Sequence, residues 1–334
     1  MILVTGGSGL VGAHILLSLI KQSSIPIRAI YRNSESLKKV KIIFSYYNRE
    51  VDFNKIEWVQ ADILDIFSLD DAFKGITSII HSAGLVSFDS KDKERLKKVN
   101  IEGTANVVNA AIPAGVKKIV FISSVAALGE NKRKEAITES DNWEKTETTS
   151  TYSISKHYAE NEIWRASAEG IQIAILNPST IIGPGDWSEG SPALFRRIKE
   201  GLKYYTSGSN GFVAIDDVAA LAIKLLDSKI NNERFIANGD NLSFRELFSA
   251  IAKSIHVKEP YKNAKKWQGK MVLFVDQIRS LISNKKAVLT KDSLEAAYSN
   301  KQFNNSKSIT RLDHHYKSVH EAIKETGSVF LRSY

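Results

Sequence analysis

The sequence predicts an α/β fold in which a doubly wound parallel sheet carries a smaller C-terminal lobe. Apolar runs typical of strands alternate with segments of helical periodicity, the runs lying at 1–4, 27–31, 56–60, 77–81, 117–122 and 171–176. Repeated strand–helix units of this kind form parallel sheets through right-handed crossovers. A glycine-rich turn separates the first strand from the first helix, and the length of 334 residues allows a large core.

The glycine-rich turn has the string TGGSGLVG at 5–12 and leads into the apolar helical pattern HILLSLI. Gly7, Gly9 and Gly12 fit G-x-G-x-x-G, while Gly6, Gly9 and Gly12 fit G-x-x-G-x-x-G. Residues without a Cβ let a pyrophosphate approach backbone N–H groups at the positive end of a helix dipole. Such turns also serve tight packing, so the motif depends on its strand and helix context. That context favours a dinucleotide site built from Gly6, Gly7, Ser8, Gly9, Leu10, Val11 and Gly12.

A second motif, YSISK, places Tyr152 and Lys156 four residues apart. On a helix the two side chains share one face, about one turn apart. A neighbouring ammonium favours the phenolate, which makes tyrosine a usable acid or base near neutral pH. Such a pair alone is common on solvated helices, and its occurrence together with the glycine turn favours a catalytic role.

The two motifs resemble those of the short-chain dehydrogenase/reductase superfamily. The similar branch is the extended one, which includes NDP-sugar epimerases, dehydratases and, closest in pattern, dihydroflavonol-type reductases. The resemblance runs almost end to end and loosens from about Asn241. It implies a Rossmann-type fold, with Tyr152 as proton donor or acceptor and Lys156 holding the nicotinamide ribose and lowering the tyrosine pKa.

The same resemblance implies two further members of the reaction site. In VFISSVAALG, Ser124 matches the substrate-binding hydroxyl of the family, and Ser123 is its neighbour. In KKVNIEGTANVV, Asn100 opens the helix that follows the fourth strand and shapes the cofactor face of the site. We therefore expect Ser124, Tyr152, Lys156 and Asn100 to form the catalytic set.

The choice of nicotinamide cofactor depends on the end of the second strand. An acidic residue there bonds the ribose 2′-OH of NAD, whereas arginine accommodates the 2′-phosphate of NADP. This chain has Arg32, and Lys39 follows at a spacing that resembles dihydroflavonol-type reductases. Glu35 lies past the strand end, where it suits the first turn of a helix. NADP is therefore preferred, with NAD as the alternative.

The resemblance implies three more contacts with the cofactor. Asp62 and Ile63 match the segment that contacts the adenine, and Ala83 and Gly84 match the loop over the riboses. Asn177 and Pro178 match a polar turn beside the nicotinamide, although a plain strand-to-loop transition is the other interpretation of that turn. His81 is interpreted as a strand-end residue rather than a base.

The predicted domain organisation follows the same pattern. Residues 1–177 form the dinucleotide-binding domain, completed by about 211–240, and residues 178–210 and 241–334 form the substrate-binding lobe. Asp216 and Asp217 suit the cap of a helix. Further on, an apolar face at helical spacing suits the core or a pocket wall, or contact with a membrane; its members are Trp267, Met271, Phe274, Ile278 and Leu281.

Composition limits the remaining possibilities. The net charge of +9 suits anionic ligands, but the basic residues are interspersed with acids and form no visible stripe, so we expect no nucleic-acid partner. The absence of cysteine excludes disulfides and thiolate chemistry, and no metal site is expected. We expect a cytoplasmic protein without a membrane span. By analogy with extended relatives, it forms a homodimer through helices at about 91–113 and 151–169.

These observations predict an NADP-dependent oxidoreductase that transfers hydride between nicotinamide and a substrate carbonyl or alcohol. An NDP-sugar epimerase or dehydratase with tightly bound NAD is the first alternative, and Arg196 and Arg197 would suit its diphosphate. A catalytically silent dinucleotide sensor is the second, although Tyr152 and Lys156 are both present. The sequence does not identify the substrate.

Overall fold

A computed structural model describes residues 1–129, 135–147, 149–271, 273 and 290–334 of the chain. Seven strands form its central sheet: β1 Ile2–Thr5, β2 Ile27–Tyr31, β3 Ile56–Gln60, β4 Ser78–His81, β5 Lys118–Ile122, β6 Gln172–Pro178 and β10 Glu233–Ala237. They run in the order β10-β6-β5-β4-β1-β2-β3, and every neighbouring pair is parallel. This confirms the predicted doubly wound sheet. The strand order reverses between β1 and β4, which is where such sheets bind ligands.

Helices cover both faces of the sheet because alternate residues of each parallel strand point to opposite sides. The helices are α1 Leu10–Gln22, α2 Ser34–Ser45, α3 Ile66–Ala72, α4 Lys93–Leu96, α5 Gly103–Ala111, α6 Thr151–Ala168, α7 Ala193–Lys199 and α8 Ile215–Asp227. Apolar side chains of α1, α2 and α8 pack with Val4 of β1 in one core. Those of α3, α5 and α6 pack with Leu3 in a second core on the other face.

A smaller assembly lies beyond the central sheet. Strands β7 Thr180–Ile182, β9 Ser209–Ala214 and β11 Asp240–Ser243 form a three-stranded mixed sheet, and β8 Tyr204–Tyr205 pairs with β12 Lys262–Asn263. Helix α9 Phe244–Ser254 follows β11, and α10 Lys291–Tyr298, α11 Ser306–Leu312 and α12 Val319–Ser333 lie after β12. A third core joins Phe195, Phe212, Leu247 and Phe330 from α7, β9, α9 and α12.

Two expectations for this region differ from the structure. Asp216 and Asp217 lie inside the first turn of α8 and do not cap it, because the capping position is Ala214. Asp217 instead accepts hydrogen bonds from His314 Nε2 (3.0 Å) and the Lys317 backbone N–H (3.1 Å). These bonds connect α8 to the segment between α11 and α12.

The apolar face predicted from residue 267 onward is described only in part. Trp267 and Met271 are 58% and 60% exposed, so neither is a core residue, and Phe274, Ile278 and Leu281 lie outside the described residues. In the part of the chain that the structure describes, none of the helices combines the length and hydrophobicity of a membrane span.

Candidate active site

The glycine turn joins β1 to α1 through a backbone that only glycine tolerates at two positions. Gly6 has φ +68°, and a Cβ there would lie 2.5 Å from the Ala83 backbone nitrogen. A Cβ on Gly12 would lie 2.2 Å from the Gly6 carbonyl oxygen. Helix α1 begins after Gly9 with no side-chain cap, so the amides of its first turn stay available to an anion. The glycine turn and the uncapped start of α1 together fit the pyrophosphate of a dinucleotide.

Tyr152 lies in the first turn of α6, which Ser150 caps by accepting a hydrogen bond from the Ser153 backbone N–H (3.1 Å). The tyrosine is 8% exposed and its ring meets Phe88 edge-on at 5.7 Å. Burial raises the pKa of Tyr152 to about 12, and a hydrogen bond with the Ser124 side chain opposes the rise. Ser124 itself begins the 3₁₀ turn Val125–Ala127 and accepts from the Ala126 backbone N–H (3.1 Å). The structure therefore brings together the predicted serine and tyrosine.

Lys156 lies one turn after Tyr152 on the same helix and is buried. Its ammonium donates to the Ile122 carbonyl oxygen at 3.0 Å and lies 4.8 Å from the centre of the Phe121 ring. Burial lowers the pKa of Lys156 to about 8, and the negative charge of Glu160 opposes the fall. The lysine is thus anchored to the end of β5, beside the serine-bearing turn.

Asn100 lies in a π-helical segment, Lys97–Glu102, between α4 and α5. The helix begins at Lys93, so the expectation that Asn100 opens it is wrong: the charged stretch before Asn100 forms the first, exposed turns. The Asn100 side chain accepts from the Leu85 backbone N–H (2.7 Å) and donates to the Leu85 carbonyl (3.0 Å) and Ser155 Oγ (2.9 Å). Ser155 in turn donates to the Tyr152 carbonyl. Asn100 therefore connects the loop after β4 to α6.

His81 is fully buried between two threonines. Thr104 Oγ1 donates to the Asn100 carbonyl oxygen (2.6 Å), so it accepts from His81 Nε2–H (3.0 Å). Nδ1 then accepts from the Thr5 hydroxyl at 2.6 Å. Burial, reinforced by the charge of Lys156, lowers the pKa of His81 to about 3. The ring is neutral and internally satisfied, which suits a strand-end structural residue.

The adenosine end of the predicted groove is more open. Arg32 is exposed directly after β2, and its carbonyl oxygen accepts from Gln60 Nε2 (3.2 Å). Lys39 forms ion pairs with Asp186 (2.9 Å) and Glu189 (3.0 Å), and these bonds raise its pKa. The structure thus places Lys39 against the segment after β7 rather than beside Arg32.

The remaining predicted cofactor residues lie along the same edge of the sheet. Asp62 accepts from the Leu64 backbone N–H (3.0 Å), and Ile63 is buried against Gly103. A Cβ on Gly84 would lie 3.3 Å from Asn100 Oδ1 and 3.5 Å from Lys156 Nζ, which places this loop over the catalytic groups. Ala83 precedes it, beside Gly6. Pro178 ends β6 and is buried, and Asn177 before it is fully buried.

Sequence reasoning missed one buried group in this site. Glu160 follows Lys156 by one turn of α6, and its Oε1 accepts from Ser123 Oγ (2.5 Å) and Asn177 Nδ2 (2.6 Å). Asn177 Nδ2 also donates to the Ser124 carbonyl oxygen (3.0 Å). The sequence did carry a sign of this residue, because Tyr152, Lys156 and Glu160 follow one another at intervals of four residues and so share one face of α6.

Comparisons with known proteins identify the family. The model of the NAD dependent epimerase/dehydratase family matches residues 2–237. The chain belongs to this family. As an extended short-chain dehydrogenase/reductase it is an NAD(P)-dependent enzyme, in agreement with the prediction from the sequence.

The proteins that this chain is similar to include reductases by sequence and epimerases by fold. The chain is 25% identical over 328 residues to a putative dihydroflavonol 4-reductase of Synechocystis sp., covering 96% of this chain and 92% of the relative. It is 27% identical over 252 residues to sterol demethylase protein B of Methylococcus capsulatus, covering 73% and 71%. Its fold is similar to that of UDP-glucuronic acid 4-epimerase from Bacillus cereus, solved with NAD, with a TM-score of 0.78, 18% identity and coverage of 100% and 99%. The crystal structure of gox2253 gives a TM-score of 0.80 at 24% identity, covering 99% and 98%.

Proposed function

We propose that this family member is an NADP-dependent reductase that transfers hydride between nicotinamide and a substrate carbonyl or alcohol. The observation that carries the proposal is the buried Tyr152 phenol, hydrogen-bonded to Ser124, with the Lys156 ammonium one helical turn away. Proton transfer to a carbonyl oxygen needs a donor and an orienting hydroxyl in this arrangement.

NADPH, when bound, supplies the hydride. In the reducing direction the Ser124 hydroxyl donates a hydrogen bond to the carbonyl oxygen, and Tyr152 gives that oxygen its proton. A pKa of about 12 keeps the phenol protonated at neutral pH, which is the state a proton donor requires. The Lys156 ammonium then stabilises the tyrosinate. The hydrogen bonds of Asn100 to Leu85 and Ser155 fix the loop after β4 relative to α6 for this transfer.

The proposed preference for NADP depends on the end of β2. Arg32 supplies a free cation there, whereas the nearest acid, Glu35, is paired with Lys38 at 2.6 Å. Asn33 is engaged as the cap of α2, where its side chain accepts from the Ser36 backbone N–H (3.0 Å). No carboxylate in this turn is left to accept from a ribose 2′-OH, and arginine favours the 2′-phosphate.

We assign the other cofactor contacts by the same proposal. The first turn of α1 and its glycines hold the pyrophosphate, and Lys39 is recruited to the 2′-phosphate from its surface ion pairs. The adenine lies against Asp62 and Ile63, the riboses under Ala83 and Gly84, and the nicotinamide beside Asn177 and Pro178. Residues 178–210 and 241–334 serve as the substrate lobe, and a homodimer through the helices at about 91–113 and 151–169 remains a prediction that light scattering would test.

The surroundings of Tyr152 favour an apolar flank on the substrate. Phe88 touches the tyrosine ring and is 42% exposed, and Val86 on the same loop is 64% exposed. Exposed apolar side chains beside a reacting group suit a hydrophobic carbonyl compound better than a sugar diphosphate.

The test begins with purified protein stripped of nucleotide and titrated with NADPH and NADH by fluorescence. We expect tighter binding of NADPH, by about tenfold or more, followed by NADPH oxidation with members of a panel of hydrophobic aldehydes and ketones. NAD that cannot be stripped, together with turnover of NDP-sugars, would establish the epimerase alternative instead. Binding without any turnover would favour the silent sensor.

A further inference from the structure

Glu160 is a carboxylate buried beneath the catalytic groups, with 1% exposure. Each of its hydrogen-bond and ion-pair partners is a donor or a cation: Ser123 directly after β5, Asn177 on β6 and Arg234 on β10, the last at 3.4 Å from Oε2. Burial raises its pKa, while these donors and Lys156 lower it. Asn177 Nδ2 and the Arg234 guanidinium can only donate, so the arrangement suits the charged carboxylate.

This carboxylate connects to two proposed catalytic groups by different routes. Through Asn177 Nδ2, which bonds both Glu160 Oε1 and the Ser124 carbonyl, it fixes the turn that bears the Ser124 hydroxyl. Through space it acts on Lys156, the residue four positions earlier on α6, whose pKa its charge raises. One buried side chain thus reaches both the orienting hydroxyl and the ammonium.

We infer that Glu160 is a positioning residue: it orients the Ser124 turn through Asn177 and supplies the counter-charge that keeps Lys156 protonated. The inference rests on the proposed function for its effect on turnover, but the charge on Lys156 can be measured without any substrate. The role concerns orientation and charge, since Glu160 itself touches neither Tyr152 nor the loop over the cofactor in the contacts described.

The charged groups that bear on this pair come from three directions. Lys156 lies on the same helix as Glu160, Arg234 approaches from β10, and Glu139 lies behind Arg234, whose guanidinium donates to the Glu139 carbonyl oxygen at 2.6 and 2.9 Å. The imidazole of His157 also lies near Arg234, and burial lowers its pKa. Removing the negative charge of Glu160 lowers the pKa of Lys156.

The experiment measures the titration of Lys156 directly. The full-length protein is labelled at a series of pH values with a trace of an amine-acylating reagent, and mass spectrometry quantifies the peptide that contains Lys156. In Glu160→Gln we expect the midpoint to fall by about one pH unit, because the amide carries no charge. Glu162→Gln is the matched control, because Glu162 lies on the same helix in a surface pair with Arg165 (2.8 Å).

Turnover provides the second measurement. We expect Glu160→Gln to lower kcat about tenfold, because a neutral amide oxygen binds Ser123 and Asn177 more weakly than a carboxylate and so holds the Ser124 turn less firmly, and to move the alkaline limb of the pH–rate profile toward acid. A Lys156 midpoint that is unchanged in Glu160→Gln would overturn the inference. Should Glu160→Gln not fold by circular dichroism, Glu160→Asp decides: it keeps the charge but is one methylene shorter, so kcat should fall while the Lys156 midpoint stays near that of the wild type, and an unchanged kcat would overturn the inference. A wild-type enzyme without carbonyl reduction would contradict the proposed function and leave the labelling result to stand separately.

Discussion

The two ends of the proposed cofactor groove are built in opposite ways. At the reaction end Tyr152, Lys156 and Asn100 are buried and held by hydrogen bonds to neighbouring backbone and side chains. At the adenosine end Arg32 is exposed and Lys39 sits in surface ion pairs with Asp186 and Glu189. Buried groups of this kind act through shifted pKa values and fixed geometry, whereas exposed charges act weakly and are screened by salt.

We therefore expect the reaction chemistry and the selection of the nucleotide to depend on opposite ends of the groove. Changes at the reaction end are expected to alter rates by orders of magnitude with little effect on nucleotide affinity. Changes at the adenosine end are expected to alter the choice between two nucleotides by about tenfold and to depend on ionic strength. The predictions below test that division.

The largest effect is expected from Tyr152→Phe. Removing the phenol oxygen eliminates the proposed proton donor, so kcat should fall by about 10³-fold while the Kd for NADPH changes less than about twofold. Stopped-flow turnover and fluorescence titration measure the two quantities. Tyr158→Phe is the matched control, because Tyr158 lies on the same helix and is 44% exposed. Unchanged turnover in Tyr152→Phe would remove the tyrosine from the mechanism.

Gly12→Ala tests the glycine turn between β1 and α1, which is proposed to hold the pyrophosphate between the two ends of the groove. The added Cβ would lie 2.2 Å from the Gly6 carbonyl oxygen, so the turn must shift and the free energy of unfolding should fall by about 1–3 kcal/mol, with loss of binding of both nucleotides. Gly9→Ala is the steric control, since its Cβ would lie at an ordinary 3.4 Å from the same oxygen and its φ is −86°. Chemical denaturation compares the variants, and equal stability of Gly12→Ala and wild type would show that the turn is not so constrained.

The pH dependence sharpens the description of the reaction end. Lys156 has a pKa of about 8, and the proposed mechanism needs its charged form. Activity is therefore present below pH 8 and lost as the pH rises through that value, with kcat/KM for reduction falling about tenfold per unit above it. Lys156→Arg stays charged over this range and should lack the limb, at a lower overall rate. A wild-type profile flat to pH 10 would contradict a titrating Lys156.

The central fold was predictable because its signals are local. Each predicted strand is an apolar run that the structure places within two residues of the expected ends, as at β2 Ile27–Tyr31 and β3 Ile56–Gln60. A strand buried on both faces has a continuous apolar sequence, and a glycine turn marks where the first helix begins. The caps expected at Asp216 and Asp217 were wrong because tertiary contacts with His314 and Lys317 use those carboxylates instead.

Two features of the site were not evident from the sequence. Asn100 was expected to open a helix, but the charged residues before it form the first turns of a helix whose π-helical segment carries Asn100. The environment of Glu160 is set by its contacts with Ser123, Asn177 and Arg234, which lie on or at the ends of three different strands. Periodicity along one helix cannot show what faces it across the sheet.

The smallest expected effect belongs to the adenosine end, and it decides the cofactor. Arg32→Glu places a carboxylate after β2, where it can accept from a ribose 2′-OH and repels a 2′-phosphate. We expect the ratio of Kd values, NADH over NADPH, to fall by about tenfold or more, and to be measured best at low salt, where exposed charges act most strongly. Lys41→Glu is the charge-reversal control, because Lys41 is exposed on the same helix α2 and its ammonium lies over the Phe53 ring at 4.8 Å. An unchanged ratio of Kd values would show that Arg32 does not select the nucleotide. If kcat with saturating nucleotide also falls in Arg32→Glu, the two ends are coupled, and reaction rate and nucleotide choice are not determined separately.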